Sequence, residues 1–337
     1  MRILLAPLSW LYGLVIAIRH MLYDHNILPT HTAAIPTICV GNLAVGGTGK
    51  TPHVEYLIRL LIANNLKVAV LMRGYKRKTT GFIIADHHAS ARTIGDEAMQ
   101  LYTNFPNVTI AVCENRLKGI SLLQRQVEHL DVVLLDDAFQ HRSLDCGLNI
   151  LLSTYDNLYI DDYLLPYGSL RDQSSRAQKA DIIVVTKCPP TMQPIDMRVV
   201  DNKLRLPVFQ QLHFTTMTYP PIAHKGIPLV LCGIAQPQYL INHVRALYPQ
   251  ALTMTFADHH AYKKSDINAI LQQAMKVDFV VTTEKDMQRL ALTTLPEQLQ
   301  ANNIPVCVLP ITVQFRTDAT VFDKKILTYI RENNRKK

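Results

Sequence analysis

The stretch Gly41-Asn42-Leu43-Ala44-Val45-Gly46-Gly47-Thr48-Gly49-Lys50-Thr51 decides the fold of this chain. It follows the phosphate-binding pattern GxxxxGK[ST], except that Ala44 stands where the pattern begins with glycine. A β-branched run over 35–40 precedes it, and apolar residues at helical spacing over 51–61 follow it. In such a strand–loop–helix unit, backbone N–H groups surround the phosphates of a nucleotide. The sequence therefore predicts a nucleotide-binding loop over residues 44–51, with Lys50 on the β and γ oxygens and the Thr51 hydroxyl on Mg²⁺. The predicted loop residues are Ala44, Val45, Gly46, Gly47, Thr48, Gly49, Lys50 and Thr51.

Short apolar runs of strand length alternate with helical segments on both sides of this loop. They occupy 67–72, 82–84, 108–112, 131–136, 148–152 and 181–186. Continuous apolar strands that alternate with helices are typical of a parallel sheet covered on both faces. We therefore predict an α/β fold of the P-loop NTPase type, with a mainly parallel sheet, over residues 31–207.

A segment of mixed pattern, 208–225, separates this domain from a second series of strands, and we predict that it is a linker. The apolar runs resume at 228–233, 251–256, 278–282 and 306–309. The sequence thus predicts a smaller C-terminal α/β domain over residues 226–330.

The N-terminus carries an uncharged run over residues 3–18, ILLAPLSWLYGLVIAI. As a helix it would span ~24 Å, short of the ~30 Å of a bilayer core. Trp10 and Tyr12 have the amphipathic rings that suit a membrane interface. We predict a membrane-associated helix within 1–30 that lies on the membrane surface, although a buried core helix or a short spanning helix remains open. Removal of residues 1–25 is expected to leave a foldable α/β core.

The composition limits the class of protein. Hydrophobic residues make up 48% of the chain, which excludes a disordered protein. The 6 cysteines lie far apart, without the spacing of a zinc site, and indicate a reducing compartment. The net charge of +8 favours an anionic partner, so that nucleic acid, anionic lipid and phosphorylated metabolites are candidates besides a simple role in solubility.

Two carboxylates follow the apolar strand 132–135. A P-loop enzyme needs an acidic group at the end of a neighbouring strand, so Asp136 is predicted to hold Mg²⁺ and Asp137 to be catalytic. A pair that only caps the next segment is the alternative. His141 follows in the same loop and is expected at the same edge of the sheet.

Two rival functions make sequence predictions that this chain does not meet. A GTPase or metallochaperone-type ATPase would carry an NKxD-like motif, whereas Thr186-Lys187-Cys188-Pro189 lacks both the Asn and the Asp. A nucleic-acid-binding ATPase would show basic stripes interleaved with aromatic residues. Lys76-Arg77-Lys78 is the only internal basic cluster in the sequence, and only Tyr75 adjoins it. We therefore expect no nucleic acid partner.

Several further motifs appear in a characteristic order along the chain. They are RGY at 73–75, GDE at 95–97, DDAFQHR at 136–142, LPYGSLRD at 165–172, FADHH at 256–260 and TEKD at 283–286. With GNLAVGGTGKTP at 41–52, they make the chain resemble the tetraacyldisaccharide 4'-kinases, the lipid A 4'-kinases of Gram-negative bacteria. Ala138 and Asp172 depart from the Gly and Glu that the family usually carries at these positions.

The resemblance implies a kinase that moves the γ-phosphate of ATP, with Mg²⁺, to the 4'-hydroxyl of a lipid A disaccharide 1-phosphate precursor. It also implies that the N-terminal helix docks on the cytoplasmic face of the inner membrane, so that the lipid surface is a partner.

The family motifs also suggest roles for particular residues. Asp96, paired with His259, is implied as the base that accepts the hydroxyl proton. The alternatives are that Asp96 caps a helix and that His259 is a loop histidine with His260 as its competitor. For Lys285 of the TEKD motif, the family suggests a contact with phosphate oxygens, and the alternative is a surface ion pair with Glu284 or Asp286. Asp172 is implied as a further metal ligand beside Thr51 and Asp136, reaching Mg²⁺ through water. The implied substrate-binding residues are Arg73, Asn115, Arg116, His141 and Arg171.

Overall fold

The structure is a computed structural model that describes residues 5–335, so the first residues of the predicted N-terminal run lie outside the described residues. The strands are β1 (His31–Thr32), β2 (Thr37–Asn42), β3 (Val68–Met72), β4 (Ile83–Ile84), β5 (Thr109–Val112), β6 (Val132–Asp136), β7 (Leu144–Asp145), β8 (Leu148–Thr154), β9 (Ile182–Thr186), β10 (Gln211–Thr218), β11 (Pro228–Cys232), β12 (Leu252–Thr255), β13 (Phe279–Thr283), β14 (Val306–Leu309) and β15 (Thr312–Phe315).

The helices lie between these strands and at both ends of the described chain. They are α1 (Ala6–Asp24), α2 (Lys50–Ala63), α3 (Ala91–Ile94), α4 (Asp96–Asn104), α5 (Arg116–Gln126), α6 (Pro194–Leu204), α7 (Gln238–Leu247), α8 (Lys264–Ala274), α9 (Glu284–Leu290), α10 (Leu295–Ala301) and α11 (Ala319–Asn334), with a 3₁₀ helix at Ser174–Lys179.

A sheet of nine strands, in the order β15-β10-β9-β8-β2-β6-β3-β5-β4, forms the centre of the molecule. Its strands are parallel except at the edges, where β4 pairs antiparallel with β5 and β15 pairs antiparallel with β10. This confirms the predicted α/β fold class with a mainly parallel sheet.

Successive residues of the central strands enter opposite core layers, because side chains alternate across a strand. Leu71 and Leu135 face the layer under α5 and α6. Val70 and Leu134 face the layer under α2, α4 and α11. Both faces are therefore buried, which explains why the strands read as continuous apolar runs.

The smaller unit is a parallel sheet in the order β12-β11-β13-β14. Helix α7 covers one face, and α8, α9 and α10 cover the other. The carboxyl ends of β12 and β13 lead to the segments that carry the DHH and TEKD motifs.

Two segments belong to the large sheet rather than to the predicted linker and C-terminal domain. Residues 211–218 of the predicted linker form β10, which pairs parallel with β9. His213 lies opposite Val184 and Phe214 opposite Val185, and all four residues are buried. After β14 the chain returns through β15, and Phe322, Ile326 and Ile330 of α11 pack into the large core.

Helix α1 lies beside the loop that precedes the 3₁₀ helix, with Ser9 and His20 buried and Trp10 77% exposed. Among the described residues, no helix is both long enough and apolar enough to cross a membrane.

Candidate active site

The phosphate-binding loop leaves the end of β2 and enters α2. Gly46 and Gly49 have φ values of 108° and 86°, in the left-handed region that glycine adopts at little cost. The Asn42 amide donates to Oγ1 of Thr48 over 2.9 Å, and the Thr186 hydroxyl donates to the carbonyl of Thr48 over 2.8 Å. These contacts hold the loop against the carboxyl edge of the sheet, where a helix N-terminus favours anions.

Two cations flank Asp137 beside this loop. Lys50 Nζ lies 3.5 Å from Oδ1 of Asp137, and the Arg171 guanidinium binds both oxygens of the same carboxylate. Burial opposes ionisation of Asp137, but the hydrogen bond from Arg171 and the charge of Lys50 outweigh it and hold its pKa well below its usual range. Asp137 is therefore a carboxylate at neutral pH and fixes both cations near the phosphate position.

Asp136 is in a different state. It is 3% exposed, and within the described chain its Oδ1 has no hydrogen-bond partner. Burial and the nearby charge of Glu97 raise its pKa to about 7. A buried carboxylate oxygen without a partner costs free energy unless a cation or a proton compensates it, so Asp136 fits a cation site next to the phosphates.

Asp96 and His259 are in contact although they are 163 residues apart in sequence. Asp96 begins α4 beside the large sheet, and His259 follows β12 of the small sheet. Nδ1 of His259 lies 2.8 Å from Oδ2 of Asp96, and Lys285 Nζ lies 3.2 Å from Nε2 of His259. Lys285 also contacts Glu97 at 3.1 Å. Burial opposes ionisation of Asp96, but the hydrogen bond from His259 and the charge of Lys285 lower its pKa overall. These contacts connect α4 of the large domain to the loop that carries His259 and to α9 of the small domain.

One cleft of about 520 Å³ contains the phosphate-binding loop, both carboxylates of 136–137 and the Asp96–His259 pair. Arg73 and Arg171 also line it. A nucleotide bound at Lys50 and an acceptor hydroxyl near Asp96 could therefore occupy the same cleft.

Three cleft residues adopt left-handed backbone conformations that residues other than glycine rarely take. Asp137, Lys187 and His259 have φ values of 52°, 58° and 56°. Asp137 and Lys187 directly follow β6 and β9. Such conformations cluster at functional sites, where surrounding contacts hold them.

Four predicted site residues lie outside the lining of this cleft: Asn115, Arg116, His141 and Asp172. Asn115 caps α5 by accepting from the N–H of Lys118, and Arg116 is 3% exposed and donates to the carbonyl of Cys113. His141 is half-buried, and its pKa is lowered by burial and by the charges of Arg116, Arg19 and Arg73. The guanidinium groups of Arg116 and Arg73 therefore both act on His141.

Asp172 is not brought to the phosphate-binding loop as a free carboxylate. It is buried and pairs with His20 of α1, whose Nε2 lies 2.6 Å from its Oδ1. Oδ1 also accepts from the N–H of Gln173, so this oxygen is committed to partners within the protein, and Asp172 does not line the cleft that contains the phosphate-binding loop.

The contacts of Asp96, His260 and Lys285 bear on the alternatives of a helix cap, a competing histidine and a surface ion pair. Gly95 is the N-terminal cap of α4, and Oδ1 of Asp96 accepts from the N–H of Glu97 over 3.0 Å. Asp96 therefore contributes to the helix N-terminus through Oδ1 while its Oδ2 contacts His259. His260 turns away and pairs with Asp266 at 2.9 Å. Lys285 contacts Glu97 and Asp258 rather than its sequence neighbours.

Several cleft residues were not singled out from the sequence. Tyr75 packs its ring 4.9 Å from that of His259, and Glu97 bonds Lys285. Tyr75 belongs to the RGY motif and Glu97 to the GDE motif, and each motif contains a glycine, which was the available signal. Lys187 lies 4.5 Å above the ring of Tyr239, on the far wall of the cleft, and burial lowers its pKa to about 8. It belongs to the TKCP string, which does not meet the NKxD pattern and so gave no signal for a site residue.

Comparison with known proteins agrees with this geometry. The family model described as "Tetraacyldisaccharide-1-P 4'-kinase" matches residues 1–331. A tetraacyldisaccharide 4'-kinase of Bacteroides thetaiotaomicron is 41% identical, covering 98% of this chain and 94% of its own length. The corresponding protein of Flavobacterium johnsoniae is 42% identical, covering 99% and 98%. A crystal structure of LpxK from Aquifex aeolicus in complex with ATP has a TM-score of 0.73 and 26% identity, covering 98% of this chain and 99% of that one. The chain therefore belongs to the tetraacyldisaccharide-1-P 4'-kinase family.

Proposed function

We propose that this protein transfers the γ-phosphate of ATP to the 4'-hydroxyl of a tetraacyl glucosamine disaccharide 1-phosphate, the lipid A precursor. The observation that carries the proposal is the placement of the Asp96–His259 pair and Lys50 in one cleft. A phosphate-binding loop alone would serve any ATPase, whereas a buried carboxylate opposite the loop is what an alcohol acceptor requires.

In the transfer, Asp96 accepts the proton of the 4'-hydroxyl as that oxygen forms its bond to the γ-phosphorus. The bond between the γ-phosphorus and the β–γ bridging oxygen breaks, and ADP leaves. Positioning and charge supply most of the rate in such reactions. Lys50 and Arg171 stabilise the charge that develops on the phosphate oxygens, while Arg73 is a third cation within the cleft.

Mg²⁺ is proposed at Thr51 and Asp136. The partnerless, buried Oδ1 of Asp136 supports this assignment, and Asp172 is left out of it. When bound, the ion would neutralise phosphate charge. Within residues 5–335 no three His, Cys, Asp or Glu side chains converge as metal ligands, which is compatible with Mg²⁺ because it usually keeps several waters and uses few carboxylates.

The lipid surface is proposed as the partner of α1. Along its open side, Leu11, Leu14 and Val15 are each more than half exposed, next to Trp10. Such an apolar face on a single helix is typical of a segment that lies in a membrane interface. The cytoplasmic face of the inner membrane is the proposed location, because both ATP and the lipid acceptor are accessible there.

The positive charges of Arg116 and Arg73 near His141 are proposed to attract the 1-phosphate of the acceptor, with His141 and Asn115 as further contacts. Burial and then the charges of Arg116, Arg19 and Arg73 lower the pKa of His141, so three guanidinium groups act at this point. An anion bound there would be screened weakly, since Arg116 is buried.

The test is transfer of label from ATP, radiolabelled at the γ-phosphate, to the purified disaccharide 1-phosphate in detergent micelles. The matched control is the 4'-deoxy disaccharide. We expect label on the lipid only when the 4'-hydroxyl is present. Equal labelling of both lipids, or ADP release without a labelled lipid, would reject the proposal in favour of another acceptor or a simple ATPase.

A further inference from the structure

Helix α1 contacts the segment next to the cleft through buried polar groups. The Tyr12 hydroxyl donates to the main-chain oxygen of Arg171 over 2.9 Å, and His20 pairs with Asp172 at 2.6 Å. Two consecutive residues, one of which lines the cleft, are therefore held by one helix.

The protonation pattern of His20 follows from its neighbours. Arg142 Nη1 lies 3.2 Å from Nδ1 of His20, and a guanidinium only donates hydrogen bonds. Nδ1 therefore accepts, and Nε2 carries the hydrogen that is donated to Asp172. Oδ1 of Asp172 also accepts from the N–H of Gln173 over 2.8 Å, so the oxygen that holds α1 has both of its partners within the protein.

The segment that α1 holds is itself tied to the phosphate-binding loop. The N–H of Arg171 donates to the carbonyl of Leu43, and the N–H of Val45 donates to the carbonyl of Ser169, both over 2.8 Å. The guanidinium of Arg171 then reaches Asp137 and the side-chain oxygen of Asn42. Arg171 therefore contacts Tyr12 of α1 through its main chain and Asp137 beside the loop through its side chain.

The helix packs closely against this segment. A Cβ at Gly13 would lie 2.9 Å from Cδ1 of Leu164, so a larger residue at this position would require the Leu164 side chain to shift. The Ser9 hydroxyl donates to the carbonyl of Leu164 over 2.7 Å. These contacts fix the inner face of α1, which differs from the exposed apolar face proposed for the membrane.

We propose that Tyr12 and His20 are positioning residues for phosphoryl transfer: through Arg171 and Asp172 they set the Arg171 guanidinium against Asp137. Helix α1 is then part of the catalytic framework, and Asp172 anchors the helix instead of binding the metal. The proposal rests on the proposed function, because it concerns the geometry of the same cleft.

The first test compares Tyr12→Phe with Tyr23→Phe. Both remove one hydroxyl from α1, but within the described chain the Tyr23 hydroxyl makes no hydrogen bond. For Tyr12→Phe we expect kcat in micelles to fall roughly three- to tenfold and the Kd for ATP to rise about threefold, as for one lost hydrogen bond. Tyr23→Phe should match the wild type in both, and sedimentation with vesicles should be unchanged in either. Equal kcat and equal Kd in the two variants would overturn the proposal.

The second test separates anchoring from metal binding at Asp172. Asp172→Asn keeps an oxygen that accepts from His20, so we expect it to retain most of kcat. Asp172→Ala leaves His20 without its acceptor, and kcat should fall on the order of tenfold to a hundredfold. The Mg²⁺ concentration for half-maximal activity should stay the same in both. A higher Mg²⁺ requirement in Asp172→Asn would overturn the anchoring role, and this variant serves even if the alanine variant does not fold.

Titration of ATP by calorimetry needs no lipid, so it distinguishes the two possible failures. A wild type that binds ATP but labels no lipid rejects the proposed function. The inference about Tyr12 is then still decided by the difference in Kd between the two tyrosine variants.

Discussion

Lys285 donates a hydrogen bond to Nε2 of His259 over 3.2 Å, and this contact decides which nitrogen of the imidazole faces Asp96. An ammonium group has no acceptor, so Nε2 must accept and Nδ1 must carry the hydrogen. His259 therefore donates to Asp96 through Nδ1. In this arrangement the histidine orients the carboxylate and stabilises its charge, and Asp96 is the group that can take a proton from an acceptor.

The first prediction concerns this pair. Asp96→Asn keeps the shape but removes the charge, so we expect kcat to fall by roughly 10²–10⁴-fold with little change in KM for ATP. His259→Ala should lower kcat in the same direction. The double variant should lose little more than Asp96→Asn alone, because residues that act as a unit are strongly non-additive.

His260→Ala is the matched control, since His260 bonds Asp266 instead of Asp96. Melting temperatures of all variants show whether the fold survives. Losses at Asp96 and His259 that multiply independently, or a larger loss at His260, would contradict the paired arrangement.

The second prediction concerns Lys50. Lys50→Ala removes the cation beside Asp137 at the start of α2, so kcat should fall by at least roughly 10²–10³-fold. Lys324→Ala, an exposed lysine on α11, should behave as the wild type. The measurement is label transfer at saturating ATP. Near-normal turnover of Lys50→Ala would remove the phosphate-binding assignment.

The third prediction concerns the metal. Asp136→Asn replaces the buried carboxylate by a neutral amide, which binds Mg²⁺ more weakly. We expect half-maximal activity to require at least about tenfold more Mg²⁺, with the lipid KM unchanged. Activity measured across a Mg²⁺ titration checks this, and an unaltered Mg²⁺ requirement would place the ion elsewhere.

The parts of the fold that repeat a local pattern could be predicted from the sequence. The strand before Gly41 and the helix after Lys50 follow from β-branched and helical spacing, and both are present. Strand β10 was missed because its alternating pattern suits an edge or a linker. Only tertiary pairing with β9 decides between them.

The candidate site was harder to predict because its contacts are distant in sequence. No local pattern relates Asp96 to His259; the family resemblance alone suggested that pair, and the structure has them in contact. The same resemblance implied a metal role for Asp172. It could not reveal that His20, 152 residues away, is close enough to bind this carboxylate.

The fourth prediction concerns stability against acid. Burial lowers the pKa of His213 to about 4, against about 6.5 when unfolded. The unfolded chain therefore binds more protons between these values. The stabilising effect of the neutral form is complete above about pH 6.5 and is lost as the pH falls towards 4, on the order of 2–3 kcal/mol.

Melting temperature measured across pH 4–7 checks this. The melting temperature of His213→Gln should be lower than that of the wild type at pH 7, but it should fall less steeply as the pH is lowered. His87→Gln, at an exposed position, should keep the wild-type slope. Parallel curves for the wild type and His213→Gln would show that His213 does not contribute.

The last prediction separates the two faces of α1. The sequence predicts that removal of residues 1–25 leaves a foldable α/β core. In the structure, this deletion would remove the His20 partner of the buried Asp172 and three acceptors of Arg142: Nδ1 and the carbonyl of His20 and the carboxylate of Asp24. An unpaired buried polar group costs about 1–3 kcal/mol, so the deletion should lower the melting temperature by several degrees. Trp10→Ser changes only an exposed side chain, so it should weaken sedimentation with anionic vesicles while it leaves the melting temperature within about 1 °C of the wild type. If the deletion melts like the full chain, the inner face of α1 does not stabilise the fold; if Trp10→Ser sediments as the wild type does, that side chain is not a membrane contact.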